Sequence, residues 1–354
     1  MAFTTIDDPS KYFQTLLYTG DGGSNRTINF DGNSDLQPDF LWVKRRNTAQ
    51  NHYLANTSDS ISKVMYSNDT GTEANETSQF KSVHSDGWVQ GSDNTNTNTH
   101  TYVAWAWKCN GGTSTASASE SGSNVAYNFQ VNTTSKFMIN LYTGLGSDAT
   151  LNLGNQFTPA WMIFKNRDQA DDWVVYHHKN TSDPDTDHLH LNTDAATADD
   201  QEMFEDQNFA ADEINIGTNH EVNADGEKYV AYAWAEVQGF SKFGEYTGNG
   251  NANGPFVYTG FKPAFVILKP SSAQSNWFMI DSTREPINPA GNKFLYGDAD
   301  TAEVSSDKSV DLLSNGFKCR AATGFHNDNG ESYLYMAFAE QPFTSSKGVP
   351  ANAR

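Results

Sequence analysis

The sequence predicts an all-β protein of three tandem antiparallel β-sandwich repeats, of jelly-roll or lectin-like type. Three observations carry the prediction. A Tyr-Thr-Gly-x-Gly stretch occurs three times, as Tyr18–Gly22, Tyr142–Gly146 and Tyr246–Gly250, and long-period self-similarity marks a repeat architecture. Its flanks recur with it. Each copy continues into Pro-x-x-x-x-x-Lys (Pro38 to Lys44, Pro159 to Lys165, Pro263 to Lys269) and closes on an aromatic-alanine run that starts at Tyr102, Tyr229 or Tyr333. The first and last tyrosines are 84, 87 and 87 residues apart. Third, the apolar runs are short or alternate with period two, they are bounded by Gly, Asn, Asp and Ser, and no stretch keeps a helical period beyond two turns.

Residues 1–12 read as a polar lead-in without the basic start and apolar core of a signal peptide, so export by an ordinary N-terminal signal is not expected. The first sandwich is assigned to 13–108. Its Pro38-to-Lys44 run is a buried strand begun by proline, where the missing N–H is tolerated. An aromatic follows the lysine by eight residues in the later copies, Trp173 and Trp277, whereas the first has His52 there with Tyr53 beside it. The closing run sorts Tyr102, Ala104 and Ala106 onto one strand face and Val103, Trp105 and Trp107 onto the other. The small face leaves room for a facing sheet. The YTGxG glycines suit a tight turn or bulge, and Asp86-Gly87 and Asn315-Gly316 are hairpin signals. Trp42, Trp105, Trp161 and Trp234 fall on repeat landmarks and are assigned to the core, because large aromatics dominate small sandwich cores.

The stretch 109–124 is rich in Gly, Ser and Thr and reads as a linker. The first copy is therefore expected to be loosely tethered. The second sandwich is assigned to 125–238, opening with an alternating strand at Asn124 to Val131. It carries an insert, Asp183 to Glu213, with eleven acidic residues and no Lys or Arg. The third, 239–343, follows at once, which implies close coupling to the second. The tail 344–354 is polar and expected to be ordered only against a partner.

With 43 acidic and 23 basic residues, the net charge is −20. That disfavours nucleic-acid binding and attraction to anionic lipid. No apolar run reaches the length of a membrane span. Two cysteines, Cys109 and Cys319, exclude a disulfide framework and a cysteine zinc site; two unpaired thiols are expected, with a single bridge between them as the alternative. Asp183, Asp185 and Asp187 alternate and could face one cation, but the run lacks the glycine and distal glutamate of an EF-hand. His188 and His190, two apart, share one face of a strand. Such a pair can hold zinc or copper if a third ligand arrives, and the sequence identifies none. No nucleophile elbow, phosphate loop or distinguishable carboxylate pair stands out. No catalytic residue and no cofactor are therefore assigned. A non-enzymatic role is expected, with a polysaccharide depolymerase as the competing class.

The opening Thr4 to Ser10, the Pro38-to-Lys44 run, the Tyr102-to-Lys108 run, the stretch Met336-Ala337-Phe338-Ala339-Glu340-Gln341-Pro342-Phe343 and the ending Val349 to Arg354 together resemble a family of tandem-repeat structural proteins of tailed phages that infect marine bacteria, especially cyanobacteria. The likeness runs over nearly the whole chain and brings no catalytic residue. It implies a virion location, as a tail fibre or host-attachment component, with a capsid decoration protein or head fibre as the alternative. It also implies other virion proteins as partners, a homo-oligomer with a trimer favoured, and host-surface glycan as a ligand compatible with either position.

Overall fold

A computed structural model describes residues 3–205, 209–211, 213–288, 293–306 and 310–351. The chain is all-β, and its named strands pair antiparallel. Residues 13–108 build a large sheet in the order Phe13–Thr19, Thr101–Trp107, Phe40–Arg45, His52–Asn56, Lys63–Tyr66, Ala74–Asn75. The third segment repeats this order with Ser241–Thr247, Ser332–Pro342, Phe261–Pro270, Phe278–Asp281, Lys293–Tyr296 and Val304–Ser305. The second repeats it with Phe137–Thr143, Lys228–Trp234, Trp161–Asn166, Val174–His177, Asp187–His190 and Ala198–Asp199. It adds two strands beyond Phe137–Thr143, first Ala126–Asn132 and then Ala116–Ala118 at the edge. A small sheet of two or three strands accompanies each segment, such as Arg26–Asn29, Gly87–Gln90 and Phe80–His84 in the first.

The YTGxG stretch ends the strand Phe13–Thr19, Phe137–Thr143 or Ser241–Thr247 of its large sheet and docks it onto the loop before the closing strand. Its tyrosine stacks on the closing tyrosine with centroids 4.9, 5.0 and 5.2 Å apart (Tyr18–Tyr102, Tyr142–Tyr229, Tyr246–Tyr333). Each hydroxyl donates to a backbone carbonyl, that of Thr95, Val222 or His326, at 2.7 Å. An asparagine in that loop, Asn96, Asn223 or Asn327, then accepts from the residue after the first glycine (3.2, 2.8 and 2.8 Å). The first glycine is required by space. A Cβ at Gly144 would lie 2.3 Å from the Ala224 carbonyl oxygen, and one at Gly20 or Gly248 would be as close to Thr97 or Asp328. The second glycine has φ of 71°, 67° and 60° in the three copies, where only glycine is unstrained. Gly144→Ala is therefore expected to cost about 1–3 kcal/mol by forced overpacking, read as a lowered urea midpoint. An unchanged midpoint would contradict the docking.

The closing strands alternate as their sequence implies. Tyr102, Ala104 and Ala106 pack with Ile28 and Trp88 of the small sheet. Val103, Trp105 and Trp107 turn the other way, into a core that includes Phe137, Trp161 and Trp234 of the second segment and Phe243, Phe265 and Phe338 of the third. The three large sheets thus meet back to back. Phe13 stacks on Phe338 (5.2 Å), Phe40 on Tyr232 (4.3 Å) and Trp161 on Trp234 (4.4 Å), and Trp161 reaches Phe243 at 5.9 Å.

The junctions are cyclic. Residues eight past the repeated lysines point into a neighbouring segment: Trp173 Nε1 donates to the Tyr66 and Asp69 carbonyls (2.9 and 3.1 Å), and Trp277 Nε1 donates to the His190 carbonyl (2.9 Å). His52 takes the same place against Tyr296 and Ala299. Its Nδ1 accepts from Trp42 Nε1 at 2.8 Å. Backbone bonds repeat the cycle, Glu73 N to Arg167 O, Glu303 N to Arg46 O and Thr197 N to Ser271 O, at 3.0, 2.7 and 2.9 Å. Two of the three carry a bidentate ion pair: Arg46 with Glu303 at 2.9 Å for both bonds, and Arg167 with Glu73 at 2.8 and 3.0 Å.

The loose tether expected for the first copy is not what the structure has. Residues of 109–124 are partly built into it: Cys109 is buried, and Ala116–Ala118 pairs with Ala126–Asn132. Composition describes only the covalent join, whereas the aromatic core fixes the segment. Both cysteines are free and buried. The tail folds back onto the lead-in, with Ser346 N donating to Asp7 at 2.6 Å and Thr344 bridging Pro350. Met1, Ala2 and Asn352 to Arg354 lie outside the described residues.

Lys44, Lys165 and Lys269 are fully buried and held by carbonyls, Lys44 by Asp300 (3.1 Å) and Lys269 by Asp194 (3.2 Å) of the neighbouring segment. Burial lowers Lys44 to about 7 and Lys165 and Lys269 to about 8. The unfolded chain, with lysines near their ordinary value, then binds more protons than the folded one between those values and about pH 10.4. Stability should rise with pH from about 7 to about 9, in the lower part of this window, by up to about 1.4 kcal/mol per pH unit for each lysine. In the upper part of the window the sign reverses, because the buried thiols Cys109 and Cys319 and buried tyrosines such as Tyr142 and Tyr246 keep their protons only when folded. Urea midpoints at pH 7, 8, 9 and 10 check this. A flat or falling series between 7 and 9 would refute it.

Candidate functional site

The second segment departs from its neighbours on the strand Asp187–His190. His188 and His190 share a face, as period two requires, with ring centroids 4.8 Å apart. Two four-residue helices lie beside them. Asp200 caps Gln201–Phe204 by accepting from Glu202 N at 2.9 Å. Asn219 caps His220–Asn223 by accepting from Glu221 N at 2.9 Å. Asn219 Nδ2 donates to Asp200 at 2.8 Å, so the two caps are locked together. This places Glu221 over the strand, where its Oε2 lies 3.1 Å from His190 Nε2. Among the described residues, His188, His190 and Glu221 are the one group of three such side chains whose ligand atoms converge, all within 4.8 Å.

The two histidines are electrostatically unlike. Burial, helped by the neighbouring His190, lowers His188 to about 4, so it is neutral near pH 7. It is 4% exposed, and its Nδ1 has no hydrogen-bond partner. Burial would lower His190 too, but the hydrogen bond and charge of Glu221, with Asp172, outweigh it and raise the ring. Asp172 stands 3.8 Å from His190 Nδ1 and is itself held by Asn192 Nδ2 at 2.6 Å. Glu221 is held below its ordinary value: burial pushes it up, and the bond from His190 more than offsets this. A neutral imidazole, a second imidazole and a carboxylate form a donor set suited to a borderline divalent cation.

The other acidic and histidine side chains of this stretch do not join the group. Asp187 accepts from Thr181 Oγ1, and Asp183 accepts from Ser182 Oγ at 3.2 Å. Asp185 is buried beside Tyr176. His177 and His178 instead turn toward the third segment, facing the Tyr335 and Phe243 carbonyls at 3.4 and 2.9 Å. Asp206 and Asp212 of the acidic insert lie outside the described residues. Buried carboxylates elsewhere are taken up by structural bonds: Asp39 accepts from Thr57 Oγ1, Cys109 N and Gly111 N at 2.7, 2.6 and 3.0 Å.

At the junction of the second and third segments, Ser271 and Thr197 replace the arginine–glutamate pair of the other two. A polar cleft of about 780 Å³ opens there, lined by hydroxyls of Thr181, Ser182, Ser271 and Ser272 with His178 and Glu245.

The model of one protein family, a domain of unknown function (DUF7483), matches residues 8–342, and the chain belongs to that family. No curated protein matches it.

Proposed function

We propose that this chain is a non-enzymatic structural protein of a virion surface, acting as a single-chain trimer at a threefold position of the particle. The observation that carries the reading is the cyclic closure of three similar sandwiches around one aromatic core. Threefold surfaces are ordinarily built by three chains; on this reading one chain would carry the equivalent arrangement. The copies lie around a common core and are not stacked end to end, which favours a capsid-decorating protein over a long fibre shaft. The polarity of the strands supports a two-ended body. Phe13, Trp107, Trp234 and Phe338 gather where the segments join and where the lead-in meets the tail, while each YTGxG turn lies at the far end of its strand. The joined end would face the particle, and the far loops would face outward.

Scattering with absolute mass, followed by co-sedimentation with empty capsids, tests this. A compact monomer of about 39 kDa that binds capsids saturably supports the proposal. An elongated homotrimer that ignores capsids and binds host cells would replace it with the fibre reading. The hydroxyl-lined cleft is where glycan should be sought in that case.

A further inference from the structure

We propose that His188, His190 and Glu221 form a binding site for one divalent transition-metal cation of the zinc class, held by two imidazole nitrogens and one carboxylate oxygen. This inference is independent of where on a particle the protein sits.

The convergence of the three side chains within 4.8 Å is the first support. Zinc takes nitrogen and oxygen ligands at about 2.0–2.2 Å, which sets ligand atoms roughly 3.4 Å apart in a tetrahedron. His190 Nε2 and Glu221 Oε2, at 3.1 Å, already stand close to that spacing. The ion pair between them accounts for His190, but it leaves His188 unexplained. That side chain is 4% exposed and its Nδ1 is buried without a partner. An unsatisfied buried polar atom is costly, and a cation that draws in the ring would repay it. Asp172, beside the other nitrogen of His190 at 3.8 Å, is placed as a supporting carboxylate. Two imidazoles select a borderline transition metal over calcium or magnesium, which prefer oxygen.

The molecule supplies its own control. Strand register and the docking asparagines align the three segments residue by residue: Tyr53, Val174 and Phe278 pair with Tyr66, His190 and Tyr296. Glu221 stands two residues before Asn223, as Asn94 does before Asn96 and Phe325 before Asn327. The equivalents of the trio are therefore Val64, Tyr66 and Asn94 in the first segment and Phe294, Tyr296 and Phe325 in the third. In the third, these three rings touch one another, at 5.3, 5.4 and 6.3 Å between centroids. The positions are neighbours there too, and the fold fills them with apolar packing. Nothing in the architecture requires histidines or a carboxylate at this spot, and only the second segment gathers all three there.

The full chain, stripped with EDTA, is titrated with Zn²⁺ by calorimetry and with Co²⁺ by visible absorption. The expected result is one strong equivalent per chain and a cobalt band typical of nitrogen and oxygen ligation. Glu221→Gln keeps the shape of the side chain and should weaken binding by at least about tenfold. The triple change His188→Phe, His190→Tyr and Glu221→Phe installs the third segment's trio and should abolish the strong equivalent. Circular dichroism confirms folding, and if the triple variant fails to fold, Glu221→Gln alone decides. Absence of a strong equivalent in the unmodified chain would overturn the proposal. So would equal binding by the chain and its folded variants, which would place the metal on surface carboxylates.

Discussion

Replacing Arg284 by leucine should destabilise the protein by about 3–5 kcal/mol, the cost of leaving buried charge uncompensated. Arg284 and Asp281 are both fully buried and hydrogen-bonded to each other. The guanidinium also donates to the Met279 carbonyl at 2.9 Å and lies 3.4 Å from Glu303. Its plane sits over the Trp105 ring of the first segment at 5.6 Å, and Trp105 Nε1 reaches Asp281 at 3.3 Å. Glu303 in turn holds Arg46 of the first segment. Leucine would leave Asp281 without its cation in a site walled by aromatic rings. Much of the loss should return when Asp281 is also changed to asparagine, since the cost lies in the orphaned charge and not in the missing pair. Urea unfolding of the single and double variants measures both. A loss below about 1 kcal/mol in Arg284→Leu would mean that water reaches the pair.

The parts of this architecture legible in the sequence are those written in side chains at fixed offsets. The strands, the two-faced closing runs and the core positions of Trp42, Trp105, Trp161 and Trp234 followed from period and repetition, and all four tryptophans are buried. The cyclic closure was not legible. Its acceptors are backbone carbonyls, such as those of Tyr66 and Asp69 for Trp173, and a carbonyl leaves no mark in composition. The site was half legible. His188 and His190 stood out by spacing, but their third partner, Glu221, lies 31 residues beyond His190, a separation set by the insert and by no known ligand pattern. The signal that could have found it is internal: aligning Asn96, Asn223 and Asn327 brings Asn94, Glu221 and Phe325 to one position, where the odd member is a carboxylate. The alternation of the three aspartates gives them no shared face, because the first two precede the strand, and alternation places side chains on one face only within it.

The second large effect is expected at Phe265, and it tests whether the three segments are one thermodynamic body. Phe265 is fully buried. It stacks on Trp105 at 5.1 Å and on Phe13 at 5.9 Å and meets Trp107 edge-on at 6.1 Å, so its ring reaches across to the first segment. Phe265→Ala should cost about 3–5 kcal/mol through lost burial and an unfilled cavity. In a linear array each module contacts only its sequence neighbours, and the damage would stay in the third segment. In a closed ring it reaches the first directly and the second through Trp107 and Trp234, whose rings are 6.0 Å apart. Calorimetry should therefore show a single transition, lowered as a whole, with calorimetric and van't Hoff enthalpies equal. Met203→Ala provides the contrast, since Met203 packs only in the second segment's own sandwich core. Under ring cooperativity it too lowers the same transition, by about 2–5 kcal/mol. Two or more resolved transitions, with Phe265→Ala moving one and Met203→Ala another, would mean that the shared core holds three separately folding sandwiches. The single-body premise behind the threefold reading would then be lost, while the metal site, contained within one segment, would be untouched.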